Sequence, residues 1–257
     1  MKAVILAGGR GTRISEESHL RPKPMVEIGD KPILWHIMSI YAAHGIEDFI
    51  ICLGYRGYII KEYFANFMLH AAKSVTFDFD KDVVSYEQGG SERWRVTLVE
   101  TGLHTQTGGR LKRLSHILNE EDDFCMTYGD GLSNVDVTAA IAYHKAKGRL
   151  ATVTTVAPPG RFGTIQSQSG RVTGFSEKPQ GDGNRINGGF FVLSPKVLDF
   201  VEGDQSIWEH GPMDALVQRG ELTAYHHDGF WQPMDTLRER DLLREMWDNG
   251  NAPWRMK

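Results

Sequence analysis

Residues 2–25 read KAVILAGGRGTRISEESHLRPKPM. An apolar run ends at Leu6 and gives way to Ala7-Gly8-Gly9-Arg10-Gly11-Thr12-Arg13. A second cationic segment, Arg21-Pro22-Lys23-Pro24, follows. The apolar run is short and β-branched, the pattern of a strand buried on both faces. Ligands of open α/β sheets gather beyond the C-terminal ends of such strands. Glycines there let backbone N–H groups come close to anionic oxygens. The layout predicts a phosphate site.

Two better-known phosphate loops are excluded. A dinucleotide fingerprint needs a third glycine, and Ile14 stands in its place. A P-loop needs Lys-Ser/Thr after its last glycine, and Gly11 is followed by Thr12-Arg13. A tight turn with surface arginines would account for the glycines alone. Arg13 beside them, and Lys23 stiffened between two prolines, favour stabilisation of a transferring phosphoryl group.

The pattern along the chain supports α/β architecture. Residues 32–42 are helical, with Pro32 at the start and Gly45 past the end. Strand 48–53, a turn at 54–57 and an amphipathic helix over 58–69 continue a βαβα alternation, which implies a parallel sheet wound with helices. Residues 74–95 contain two strand-like runs and look like an excursion without chemistry of its own. A strand at 96–100, a Thr/Gly-rich loop at 101–109 and a helix at 110–118 follow. Then come strand 123–128, helix 135–147 and strand 151–156. Further on, 164–167 and 172–177 alternate like a hairpin around Gly170. Strand 189–193, a helical stretch at 207–219 broken at Gly211-Pro212, strand 222–227, a turn region at 230–235 and a closing helix at 236–247 complete the series. One continuous domain is expected.

Composition narrows the classes of function. The chain has 257 residues, 40% of them hydrophobic, which is enough for a sizeable core without disulfides. A net charge of −4 points to neither a nucleic-acid nor a membrane partner. No signal peptide or membrane-length apolar run is seen, so the cytoplasm is the expected compartment. Cys52 and Cys125 each lie in apolar runs and are expected to be buried free thiols. No G-x-S-x-G elbow or paired-Cys motif supports acyl transfer or structural zinc.

Three further segments could carry chemistry. Asp130 lies in Tyr128-Gly129-Asp130-Gly131 at a strand end, a position suited to holding Mg²⁺, although a lone Asp-Gly is more often a solvated turn. Asp235, in Gly229-Phe230-Trp231-Gln232-Pro233-Met234-Asp235-Thr236, is either the N-cap of the closing helix or a second metal carboxylate. Lys178, after Glu177 and before Pro179, is either a solvated lysine or a cation for a sugar phosphate. Asn187-Gly188-Gly189 could bond sugar hydroxyls or turn the chain.

Leu6-Ala7-Gly8-Gly9-Arg10-Gly11-Thr12-Arg13 followed by Arg21-Pro22-Lys23-Pro24-Met25 resembles the signature of the sugar-1-phosphate nucleotidylyltransferases. The resemblance runs over essentially the whole chain. Segments such as KPILWHIMSIYAAHGIEDFIICLGY, TGGRLKR, YGDG, PPGRFG, INGGFFVL and GFWQPMDTLR resemble the branch that uses CTP and glucose 1-phosphate. Arg10 and Arg21 depart from the family's commoner residues; Arg21 replaces a frequent Lys, keeping charge and changing geometry.

The resemblance implies a Rossmann-like α/β fold of the nucleotide-diphospho-sugar transferase type. Its sheet is mixed and mostly parallel, flanked by helices, with a small β-rich sugar-binding part. A nucleotide-binding half would span about residues 1–135 and a sugar-phosphate half about 136–257. The resemblance also implies that residues 8–13 wrap the triphosphate, with Leu6 and Ala7 also at the nucleotide and Arg13 and Lys23 catalytic. It places Thr105, Arg110 and Gly129 at the nucleotide. Glu177, Lys178, Asn187 and Gly188 fall at the sugar phosphate, and Asp130 and Asp235 on Mg²⁺. The implied product is CDP-glucose, for surface polysaccharide, made by a homo-oligomer; hexamers are known in this branch. Uridylyl or thymidylyl transfer is the alternative. A non-catalytic subunit sensing nucleotide sugars is disfavoured, because Arg13, Lys23, Asp130 and Asp235 are all present.

Overall fold

The run Ala3–Leu6 (β1) forms the middle of a seven-stranded sheet, as its two-faced burial requires. The other strands are Asp48–Leu53 (β2), Arg95–Glu100 (β3), Phe124–Tyr128 (β4), Ala151–Val156 (β5), Ile186–Leu193 (β6) and Leu222–His227 (β7). Their order is β7-β5-β6-β4-β1-β2-β3. The computed structural model describes residues 1–11, 19–87, 89, 92–158, 164–176 and 185–255.

The sheet is mixed and mostly parallel, as expected. β1 pairs in parallel with β2 and β4, β2 with β3, and β5 with β7. Only β6 runs against its neighbours β4 and β5. Alternate residues of β1 feed two cores. Ala3 and Ile5 face one layer, with Ile37 and Met38; Val4 and Leu6 face the other, with Leu111 and Trp208. Register puts Leu6 beside Tyr128, so β1 and β4 end together and the loops after them share one edge.

Helices cover both faces. Ile33–Ala42 (α1) is buried almost all round, including Ile33, Leu34, Ile37, Met38, Ile40 and Tyr41, as a helix wedged under other elements must be. Val137–Lys147 (α4, after α2 and α3 below) is capped by the Asp136 carboxylate and closed by left-handed Gly148. Leu237–Asp248 (α5) follows in the C-terminal part. Among the described residues no helix is long and apolar enough to cross a membrane. Cys52 and Cys125 are buried free thiols, and burial pushes both pKa values up to about 12.

Several boundaries differ from expectation. The helix expected over 58–69 is two, Gly57–Ala65 (α2) and Phe67–Ala71, broken at Asn66. The loop expected over 101–109 already contains helix from Thr107: Thr107–Lys112 (α3) precedes a separate turn of helix, Ser115–Leu118. Gly108 and Gly109 have low helix propensity but are needed here. A Cβ on Gly108 would sit 2.8 Å from the Ser206 carbonyl oxygen, and one on Gly109 2.5 Å from that of Asp204. The 207–219 stretch is helical only over Pro212–Gln218. The turn region 230–235 contains a strand, Trp231–Pro233, paired antiparallel with Gly131–Ser133. The excursion at 74–95 holds an exposed hairpin, Ser74–Asp78 with Val83–Glu87.

Candidate active site

The loops after β1 and β4 border a cavity of about 320 Å³. Leu6, Ala7, Gly8, Gly9 and Gly11 form one wall, Lys23 and Pro24 another, and Thr105 to Thr107 with Arg110 a third. Tyr128, Gly129, Asp130 and Asp235 close it. Arg10 is exposed and does not line it. Thr12, Arg13, Glu177 and Lys178 lie outside the described residues.

Lys23 sits in a single 3-10 turn, Lys23–Met25, entered from extended Pro22. Its residue exposure is only 8%. The ammonium donates to Asp130 Oδ2 at 2.7 Å and to Asp235 Oδ1 at 2.6 Å. Burial disfavours the charged lysine, but the charges and hydrogen bonds of Asp130 and Asp235 outweigh it and hold the pKa above its ordinary value of 10.5. Lys23 is therefore a fixed cation at neutral pH.

Backbone pairing brings the carboxylates together. Trp231, Gln232 and Pro233 pair with Ser133, Leu132 and Gly131. One step further, Met234 N–H donates to the Asp130 carbonyl at 2.8 Å. The two-stranded ribbon thus sets Asp130 and Asp235 side by side. The N-cap reading of Asp235 is corrected. Thr236 caps α5, accepting from Glu239 N–H, while the Glu239 carboxylate accepts from the backbone N–H groups of Asp235 and Thr236. The cap belongs to the next residue, which leaves the Asp235 side chain to face Lys23.

Gly129 permits a close approach. A Cβ there would lie 2.8 Å from Pro24 Cγ and 3.1 Å from the Leu6 carbonyl oxygen. Glycine is needed so that β1, the lysine turn and the Asp130 turn can meet.

Arg110 lines the cavity, yet its guanidinium is committed to the scaffold. Nη1 donates to the Leu53 carbonyl at 3.0 Å, Thr101 Oγ1 at 2.7 Å and the Gly102 carbonyl at 2.9 Å. Nη2 donates to the Gly8 carbonyl at 3.0 Å. The side chain ties the glycine loop to the ends of β2 and β3. A Cβ on Gly8 would lie 2.2 Å from Arg110 Nη1, so glycine and arginine fit as a pair. Burial lowers the Arg110 pKa, with an opposing contribution from Cys52.

Asn187 and Gly188 open β6 on the same side of the sheet, because β6 runs antiparallel. Both border a separate niche of about 50 Å³, shared with Tyr128 and Trp231. Trp231 Nε1 donates to the Gly188 carbonyl at 2.7 Å, and Asn187 Oδ1 accepts from Gly189 N–H at 2.8 Å. Tyr128 and Thr107, absent from the sequence-based site, line the main cavity. Tyr128 ends a strand next to the Asp130 motif, a usable signal; Thr107 lay in a segment read as loop.

The sequence model of the nucleotidyl transferase family matches residues 2–232. Glucose-1-phosphate cytidylyltransferase of Salmonella typhi is 55% identical over 255 residues, covering 99% of each chain. A probable glucose-1-phosphate cytidylyltransferase of Bacillus subtilis is 44% identical over 257 residues, the whole of both chains. Among solved structures, HddC from Yersinia pseudotuberculosis superposes with a TM-score of 0.68 at 24% identity, over 96% of this chain and 99% of that one, a likeness of fold. A family match spanning most of the chain and a relative sharing over half its residues agree with a glycine-lined site at the C-terminal edge of the sheet: the chain belongs to the nucleotidyl transferase family.

Proposed function

We propose that this protein transfers a cytidylyl group from CTP to α-D-glucose 1-phosphate, forming CDP-glucose and pyrophosphate. The activity is that of the similar proteins from Salmonella typhi and Bacillus subtilis, as their names state it. The structural observation that carries it is Lys23 held between Asp130 and Asp235 beside the Gly8–Gly11 backbone.

The chemistry suits that inventory. A phosphate oxygen of the sugar phosphate, already anionic, attacks the α-phosphorus of CTP. The bond from the α-phosphorus to the bridging oxygen breaks, and pyrophosphate leaves with the electron pair. No side chain has to be deprotonated to make the nucleophile. The protein must bring two polyanions into line and stabilise charge on the equatorial oxygens. Lys23 supplies a fixed positive charge, and the loop glycines supply backbone N–H donors. Arg13 is assigned a second phosphate contact. Thr12 joins the triphosphate loop with Leu6, Ala7, Gly9 and Arg10. Thr105, Arg110 and Gly129 bound the nucleotide, with Arg110 acting by holding the Gly8 carbonyl. Glu177, Lys178, Asn187 and Gly188 take the sugar phosphate.

We assign Mg²⁺ to Asp130 and Asp235. Both carboxylates already bind one cation, the Lys23 ammonium, and stay partly exposed. Two carboxylates completed by phosphate and water oxygens suit this ion. Among the described residues no group of three or more His, Cys, Asp or Glu offers another metal site. When bound, the ion supplies charge neutralisation to the phosphate oxygens. The protein is assigned to the cytoplasm, as one domain whose halves divide near residue 135, and as a homo-oligomer, possible sizes including a hexamer.

A nucleotide panel tests the reading. Purified protein with glucose 1-phosphate and CTP, UTP, dTTP, GTP or ATP is followed by pyrophosphate release. CTP is expected to give the highest kcat/KM, and a preference for another nucleotide overturns the assignment.

A further inference from the structure

Among the described residues Tyr128 alone lines both the nucleotide cavity and the niche beside Asn187, so it stands between them. Its hydroxyl donates a short hydrogen bond to Glu209 Oε1. The other Glu209 oxygen, Oε2, accepts from Thr107 Oγ1 at 2.7 Å. Thr107 Oγ1 in turn accepts from Trp208 N–H at 2.8 Å, and the Trp208 side chain is fully buried against Phe191. Glu209 is therefore anchored from behind and bonded in front to one residue from each wall of the cavity.

We propose that Glu209 is a positioning residue that makes Tyr128 a hydrogen-bond acceptor for a sugar hydroxyl. A phenol has one proton to give. Glu209 takes it, so the Tyr128 oxygen can offer only lone pairs to its other neighbours. One such neighbour is Asn187 Nδ2, at 3.4 Å, a long contact that a better donor can displace. The niche on that side has room for a single polar substituent. The ring is held by Phe191, edge-on at a centroid distance of 6.1 Å, which fixes the oxygen's position. The chemical class recognised is a polyol with a hydroxyl donor, the hexose half of a nucleotide sugar. Glu209 contacts no substrate itself. It sets which way the Tyr128 hydrogen bond points.

The inference rests on the proposed nucleotide-sugar activity, but its subject is the sugar and not the base. The test is calorimetric titration of wild type, Tyr128→Phe, Glu209→Ala and the double variant with CDP-glucose and with CDP. Each single variant is expected to lose about tenfold in affinity for CDP-glucose, the worth of one hydrogen bond, while CDP affinity stays within about twofold. The double variant is expected to be no weaker than Tyr128→Phe, because Glu209 acts on the sugar only through the Tyr128 oxygen. Equal losses for CDP and CDP-glucose, or additive losses in the double variant, overturn the proposal and leave Glu209 with a structural role. Thermal melts confirm that each variant is folded. If wild type binds UDP-glucose instead of CDP-glucose, the base assignment fails, and UDP-glucose against UDP tests the same hydroxyl acceptor. If wild type binds no nucleotide sugar, both readings fall.

Discussion

The Lys23 ammonium donates to the Asp130 carboxylate at 2.7 Å across 107 residues of sequence. That bond places a cation in the seam between two loops, where a triphosphate and a sugar phosphate would both crowd negative charge. Its raised pKa means that the cation persists through the whole neutral range.

Replacing Lys23 with Met is expected to lower kcat by about 100-fold or more, the scale of losing one fixed electrostatic donor. Pyrophosphate release at saturating substrate measures it. The stability change has a pH signature. A group whose folded pKa is raised contributes stability fully below its unfolded value, near 10.5, and loses it as pH rises through the folded value. The difference in melting temperature between wild type and Lys23→Met is therefore expected to be flat from about pH 7 to 9 and to shrink only in strong alkali.

Asp130→Asn and Asp235→Asn should each abolish most metal-dependent turnover while leaving the fold intact. Each variant keeps the ribbon pairing of Trp231–Pro233 with Gly131–Ser133 and the remaining carboxylate on Lys23. Titrating Mg²⁺ against activity should show a saturation midpoint raised by about tenfold or more, one oxygen ligand having lost its charge. Full activity at the wild-type metal requirement would remove both residues from the metal site.

Arg110→Met should destabilise the protein as well as weaken nucleotide binding. The carbonyls of Leu53, Gly102 and Gly8 and the Thr101 hydroxyl would each lose the guanidinium, although Leu53 keeps the Thr101 N–H and Gly8 the Tyr55 N–H. A cost of about 3 kcal/mol is expected, or roughly 6–12 °C in melting temperature. A variant that loses CTP affinity with no change in melting would show that Arg110 acts on the base instead.

His36 makes the fold acid-sensitive. Burial lowers its pKa to about 4, against a smaller upward pull from the Ile28 carbonyl, which accepts from Nε2–H at 2.9 Å. Nδ1 accepts from Trp254 Nε1–H at 3.3 Å, so the neutral ring is bonded at both nitrogens. The unfolded chain binds this proton near 6.5 and the folded chain only near 4. Stability is therefore complete above about pH 6.5 and lost as pH falls towards 4, by up to about 3 kcal/mol. Urea titrations of wild type and His36→Gln at pH 7 and 4.5 should show a smaller acid loss in the variant.

Much of this site was legible from local pattern. The strand ending at Leu6, the glycine loop, Lys23 and the Asp130 turn are each signalled within a few neighbouring residues. What was not legible depends on long-range register. Nothing near Asp235 tells that Met234 N–H will bond the Asp130 carbonyl, and a three-residue strand carries too little pattern to announce its partner. The resemblance places Arg110 at the nucleotide, and it lines the cavity, but a sequence does not show which way its guanidinium points. Three of the four acceptors that hold it are backbone carbonyls, which every residue possesses. Glycines 108 and 109 concealed the start of α3, since their reason is the neighbouring chain at Asp204 and Ser206.

The ribbon that joins Asp130 to Asp235 also sets an order in time. During synthesis Lys23 emerges first, Asp130 after a further 107 residues, and Asp235 only 212 residues behind Lys23. A nascent chain can display the glycine loop, and even its first carboxylate, long before the second has left the ribosome. A chain lacking Trp231 to Asp235 would keep the glycine loop and Asp130 but not the second carboxylate on Lys23. The pair of carboxylates around Lys23 is thus completed only when the ribbon strand Trp231–Pro233 is in place.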